Sequence, residues 1–365
     1  MNASALENVC QRIRANGIEE SWRERAEARL HSLTKPPGSL GRLEDIAAQF
    51  VAAREEAEPA LQHPAVYVFA ADHGVASEGV SAYPAEVTAQ MVHNFLAGGA
   101  AVNVLARAAA MDVLVVDVGV DGDLAECDGL THRKMRRGTR NFALEPAMTE
   151  DEMFSAVQVG FEQAAGVLAA ERNLIIAGEM GIGNTTAAAA ITAALTAASA
   201  GAVTGAGTGL GAEGVARKRA VVERALQRHF GRDRAIAAHP LQILRCVGGF
   251  EIAAMAGLIL KAASERIMVV LDGFISSAAG AIAFALEPAI KPFLFAGHQS
   301  TEMGHAKLLH YMGLEPILSL EMRLGEGTGA VLSTFVIKAA LKLYNEMATF
   351  DSAGVAGPDI AGPKT

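Results

Sequence analysis

The sequence is poor in cysteine: Cys10, Cys127 and Cys246 are its only three and lie far apart. No CxxC pair or Cys/His cluster occurs, so neither a disulfide framework nor a structural zinc site is expected. Aromatic residues reach only 5 % of the chain against 51 % hydrophobic residues overall. The core must therefore be built from Ala, Val, Leu and Ile, which suits helices packed closely on a parallel sheet. Positive charge is also in deficit, with 31 Lys and Arg against 40 Asp and Glu, a net charge of −9. Such a surface carries no electrostatic footprint for nucleic acid or anionic lipid. Any phosphate must then be held by a local site. Long apolar runs are broken by charged residues or glycines; the most membrane-like stretch, Ala187–Gly211, is mostly Ala, Thr and Gly. The N-terminal MNASALENVCQRIRANG has no apolar core of a signal peptide. A cytoplasmic protein with no membrane or nucleic-acid partner is expected.

What is present suggests an α/β enzyme. The 365 residues suffice for one large α/β domain or two ordinary ones. Six short, continuous apolar runs read as strands covered on both faces: Ala65–Ala71, Val113–Val118, Leu174–Ala177, Ile267–Leu271, Phe293–Ala296 and Pro316–Leu320. Helical patterns separate most of them, at Thr88–Ala109, Asp151–Ala170, Thr185–Ala198, Gly214–Phe230 and Ile252–Ser264. Alternation of this kind predicts a doubly wound, mainly parallel six-stranded sheet, with ligands beyond the carboxyl ends of its strands. Residues 1–55 and 331–350 are helical without strands and are expected to form a small helical domain beside a large one over 60–330. The tail from 351 to 365 lacks periodicity and is expected to be loose.

The segments after the strands are polar or rich in glycine. Asp72-His73-Gly74 follows the first, and GEMGIGNTT (Gly178–Thr186) follows the third and opens a helix. Free N–H groups at such a helix start attract anions. The segment lacks the GK[ST] of a P-loop and the third glycine of a dinucleotide fingerprint. The same residues also read as a plain glycine turn capped by Asn184 or Thr185. A second loop, Thr204–Leu210, precedes Arg217-Lys218-Arg219 on a helix, so a phosphate could take N–H groups from one and a cation from the other. A charge run on a helix is otherwise only a solvated face. In Leu324–Gly329 a glutamate stands among three glycines. Glu326 is there either to complement a helix dipole or to act as a base from an apolar pocket, which would raise its pKa. His73, His298, His305 and His310 show no metal-ligand spacing, and no GxSxG or HExxH pattern occurs.

Six segments stand in order: KPPGSLGRLE (Lys35–Glu44), ADHGVASEGVSAYPAEVTAQM (Ala71–Met91), GEMGIGNTT, TGAGTGL (Thr204–Leu210), LDGFISSAA (Leu271–Ala279) and EMRLGEGTGA (Glu321–Ala330). Together they resemble the nicotinate-nucleotide–dimethylbenzimidazole phosphoribosyltransferase family of cobalamin lower-ligand assembly, over roughly residues 33–335. The resemblance implies a Rossmann-like α/β domain with a six-stranded sheet, a small helical domain from the chain ends, and a homodimer. It implies that Glu326 is the catalytic base, with Ser81 and Gln90 binding the acceptor base. Ribose and phosphate would be held by Glu179, Gly181, Gly207, Thr208, Gly209 and Lys218. The substrates would be nicotinate mononucleotide and 5,6-dimethylbenzimidazole, with no metal or cofactor, because a pyridinium leaving group arrives activated. A related transferase using adenine or a phenol, and a silent nucleotide binder, are the alternatives. Glu326 within an intact RLGEG segment speaks against the binder.

Overall fold

The structure is a computed structural model that describes residues 2–124, 127–231 and 239–357. The chain starts with α1 (Ala3–Ala15), α2 (Glu20–Ser32) and α3 (Arg42–Arg54), then enters strand β1 (Ala65–Ala71). Next come α4 (Val87–Leu96), α5 (Ala101–Ala108), β2 (Asp112–Gly119), β3 (Leu130–His132) and α6 (Glu150–Ala169). The middle holds β4 (Leu174–Met180), α7 (Asn184–Thr196), α8 (Ala200–Val203), α9 (Ala212–Phe230), α10 (Pro240–Val247) and α11 (Phe250–Ser264). The last third runs β5 (Met268–Leu271), α12 (Phe274–Leu286), β6 (Leu294–His298), α13 (His305–Met312), β7 (Pro316–Leu318), α14 (Thr328–Glu346) and α15 (Phe350–Ala353).

The strands form one sheet in the order β3-β2-β1-β4-β5-β6-β7, and every pairing is parallel. The sheet is thus doubly wound, and the direction of strand succession reverses between β1 and β4, the place where such folds bind ligands. The apolar runs predict six strands, and the sheet has seven. The addition, β3, is three residues at the sheet edge with one buried side chain, Leu130. It has no apolar run of its own because only pairing with β2, Val115 opposite Leu130, makes it a strand. The single helix predicted over Thr88–Ala109 is two, α4 and α5, broken at Gly98-Gly99, where Gly98 has φ +76°.

The small-residue core lets helices close on each other. Gly160 of α6 and Gly257 of α11 face one another so tightly that a Cβ on either would strike backbone, of Ala254 and Leu258 or of Val157. Gly160→Ala is therefore expected to destabilise the protein by about 1–3 kcal/mol, as overpacking does, read from the urea midpoint.

Segments of the two chain ends meet. Helix α2 lies on α3 and α3 on α14. The Arg29 guanidinium donates to the carbonyls of Tyr344, Asn345 and Met347 at the end of α14, satisfying acceptors a helix leaves open. Leu33 bridges Thr349 in antiparallel fashion. The segment after residue 350 opens with the one-turn helix α15, and 358–365 lie outside the described residues. Among the described residues no helix is long and apolar enough to cross a membrane, and no cluster of three His, Cys, Asp or Glu could hold a metal ion.

Candidate active site

Buried polar groups gather where β1, β4 and β5 end and α14 begins. Glu179 occupies β4 opposite Phe69 of β1, buried on the rim of the sheet. Its carboxyl accepts from Asn184 Nδ2 at the start of α7. Burial, with the negative charges of Asp272, Glu251 and Glu326 around it, pushes its pKa up to about 8. A carboxyl in that state is a hydrogen-bond donor at neutral pH.

Glu326 precedes α14 with φ +65°, a left-handed conformation that costs a non-glycine residue free energy. It is held there by close packing: a Cβ on Gly178 would lie 2.6 Å from the Glu326 carbonyl oxygen. The side chain is buried, and its Oε2 accepts from Val102 N–H, in the first turn of α5, at 3.3 Å. Burial raises the Glu326 pKa, the Val102 bond opposes this, and Asp272 adds to the rise. Of the two readings open for Glu326, the helix contact exists, but burial outweighs it. At the start of α14 itself the helix-end role falls to Asp272, which accepts from Gly327 N (3.1 Å) and Ala330 N (2.9 Å).

A second group lies across the loop after α8. Lys218 of α9 is wholly buried, and its Nζ donates to Thr185 Oγ1 at 2.7 Å. Burial lowers its pKa to about 8, with Glu302 working the other way. Gly207, at φ +54°, passes so close that a Cβ there would lie 2.8 Å from Lys218 Nζ. Its N–H donates to Glu302 Oε1 at 2.9 Å, and its carbonyl accepts from Arg323 at 3.0 Å. Arg323 thereby ties the RLGEG segment to the glycine loop. Thr208 Oγ1 lies 3.2 Å from Ser81 Oγ and accepts from Ala82 N–H at 3.0 Å. A cation, a helix start at α7 and a glycine turn thus converge, the combination an anionic phosphate requires.

The structure therefore brings Glu179, Gly181 and Glu326 to the switch point, and Gly207, Thr208, Lys218 and Ser81 to the neighbouring loop. Gly209, at φ +109°, completes that loop. Gln90 stands apart: it is exposed on α4, and among the described residues its side chain makes no hydrogen bond to another candidate. His305 is a packing residue. Its Nδ1 accepts from Ser300 N–H at 2.8 Å and its Nε2 meets Ser277 Oγ at 2.9 Å, while burial lowers its pKa to about 3 and keeps the ring neutral.

A phosphoribosyltransferase family model matches residues 15–355. The nicotinate-nucleotide–dimethylbenzimidazole phosphoribosyltransferase of Geobacter metallireducens is 50 % identical over 338 residues, covering 93 % of this chain and 95 % of that one. The chain belongs to the nicotinate-nucleotide–dimethylbenzimidazole phosphoribosyltransferase family. The enzyme of that name from Chlorobaculum parvum is 50 % identical over 330 residues, 90 % of this chain and 92 % of its own. A crystal structure of the family member from Thermus thermophilus superimposes with a TM-score of 0.88 at 46 % identity, over 93 % of this chain and all of that one. The chain is accordingly a phosphoribosyltransferase, a pentosyl-transferring enzyme with the α/β fold of this family.

Several residues around this candidate site are not singled out by the sequence. Asp272 carries a signal, since it stands directly after β5 on the ligand-binding rim. Thr185 and Arg323 stand inside two of the motif segments, but their partnerships, like that of Glu302, follow only from contacts across 33, 116 and 95 residues of chain.

Proposed function

We propose that the chain moves the 5-phosphoribosyl group from nicotinate mononucleotide to 5,6-dimethylbenzimidazole, giving nicotinate and α-ribazole 5′-phosphate. The observation that carries this is Glu326: a buried carboxylate of raised pKa, held on strained backbone beside the switch point of the sheet. Such strain and such a shift are the marks of a group placed for chemistry.

Nicotinate leaves as a neutral pyridine, so its departure needs no general acid. The acceptor needs activation. One nitrogen of the benzimidazole attacks C1′, and the bond from C1′ to the pyridinium nitrogen breaks with its electron pair moving onto that nitrogen. The N–H proton on the other acceptor nitrogen passes to Glu326 and then to solvent. Attack opposite the leaving group turns the β configuration into α. Glu179, as a neutral acid, donates a hydrogen bond to a ribose hydroxyl. The Gly207–Gly209 turn, Gly181 and Lys218 hold the phosphate and the sugar. Ser81 and Gln90 face the acceptor base as substrate enters. Thr208, bonded to Ser81, joins the two halves of the site.

The chain works in the cytoplasm as a homodimer in this reading, with helices of 1–55 and 331–350 as a small domain beside the 60–330 domain. Sedimentation equilibrium at twice the monomer mass supports the dimer, and monomer mass refutes it. The reaction is tested by NMR of the product. Nicotinate and α-ribazole phosphate in equal amounts are expected; a β-anomer, or nicotinate without a ribosylated base, refutes the proposal.

A further inference from the structure

A second buried pair underlies the site and takes no part in the reaction above. His73 follows β1, Glu251 lies in the first turn of α11, and His73 Nε2 meets Glu251 Oε1 at 2.6 Å with both side chains fully buried. With a carboxylate as partner, Nε2 carries the proton and donates. The other atoms of the pair, His73 Nδ1 and Glu251 Oε2, have no partner among the described residues.

Such a pair is a poor device for stability alone. Burying two polar groups with only one bond between them costs free energy, and apolar replacements of similar size are often neutral or stabilising. Unpartnered buried atoms call for another explanation. The place supplies one. The imidazole lies between two stretches of glycine backbone. A Cβ on Gly183 would stand 3.0 Å from His73 Cβ, one on Gly181 3.5 Å from Cδ2, and one on Gly249 2.8 Å from Nε2. His73 is thus the floor of the turn that carries Glu179, Gly181 and Asn184, and Glu251 holds its ring in place.

We propose that the His73–Glu251 pair is a positioning device for this turn: Glu251 holds the ring, the ring fixes the backbone that carries Glu179, and the Glu251 carboxyl is thereby set within electrostatic reach of Glu179. The proposal rests on the role given to Glu179 above. The charged groups that act on Glu179 are Glu251 from α11, Asp272 after β5 and Glu326 before α14. All three disfavour an ionised Glu179.

The test uses the full chain and needs no activity. Infrared difference spectra follow the carboxylic acid band assigned to Glu179 by its loss in Glu179→Gln. In the wild type the band is expected to titrate near pH 8. In Glu251→Gln, where an amide oxygen still accepts from His73, it is expected to vanish about one pH unit lower, the usual scale for removing a nearby like charge. An unmoved band overturns the proposal. His73→Gln keeps a donor for Glu251 but loses the ring: the band stays, and kcat is expected to fall about 10-fold or more from misplacement of the turn. Wild-type kcat in folded His73→Gln also overturns the proposal. A band that shifts in Glu251→Gln while the wild type releases no nicotinate leaves the pair standing and refutes the reaction assigned above.

Discussion

Glu326→Gln lowers kcat by about 10²–10⁴-fold, the usual contribution of a placed proton acceptor, while the KM for nicotinate mononucleotide stays close to the wild-type value. The amide is nearly isosteric, so its oxygen still accepts from Val102 N–H and the strained backbone keeps its packing against Gly178. Only the ability to take a proton is lost. A loss confined to kcat at constant KM is the pattern of an interaction made in the transition state. The pH profile gives the same result independently. Burial raises the Glu326 pKa, so the ionised base is lost as pH falls through a value above the ordinary carboxylate range. The wild type therefore shows an acid limb displaced upward, and Glu326→Gln lacks it. Steady-state rates from pH 4.5 to 9 measure both. A variant with wild-type kcat and the same acid limb removes Glu326 from the chemistry.

Lys218→Met raises the KM for nicotinate mononucleotide by about 10–100-fold, because a hydrogen bond to a charged group contributes about 1.5–3 kcal/mol and 1.4 kcal/mol is tenfold. The ammonium is fully buried at the edge of the glycine loop, bonded to one hydroxyl, Thr185 Oγ1. Burial lowers its pKa to about 8, so the free enzyme loses this charge as pH rises through that value. Affinity for the nucleotide is then expected to decline above pH 8, a dependence that disappears in Lys218→Met. Glu179, whose carboxyl also reaches about 8, gives up its proton in the same range. The two are separable, since Lys218 acts on KM and Glu179 on kcat. Isothermal titration with nicotinate mononucleotide at pH 7 and 9 checks the first directly. Equal affinity in wild type and Lys218→Met places the phosphate elsewhere.

Much of the frame was legible because it follows from local pattern. The run AVYVFAA is wholly apolar, and β1 occupies Ala65–Ala71 as expected of a strand covered on both faces. The rule that ligands lie beyond strand ends then directs attention to Glu179 and Glu326 before any contact is known. The edge strand β3 was not legible, since LTH has no apolar period and exists only by pairing with β2. The break between α4 and α5 was visible as Gly98-Gly99, yet the apolar spacing on either side continues and masks it. In the site, a residue's identity was readable where glycines frame it, as at Glu326. Partnerships were not. That Asp272 takes the N–H groups of α14, leaving Glu326 for α5, depends on how three distant segments meet. The same holds for Glu302 and Arg323, which hold the N–H and the carbonyl of Gly207.

The central claim is that Glu326 activates an acceptor base against nicotinate mononucleotide. Release of nicotinate, measured with and without 5,6-dimethylbenzimidazole for wild type and Glu326→Gln, tests it most directly. The expected result is release that requires the base in the wild type and collapses in the variant. Release that is independent of the base, or undiminished in Glu326→Gln, contradicts it.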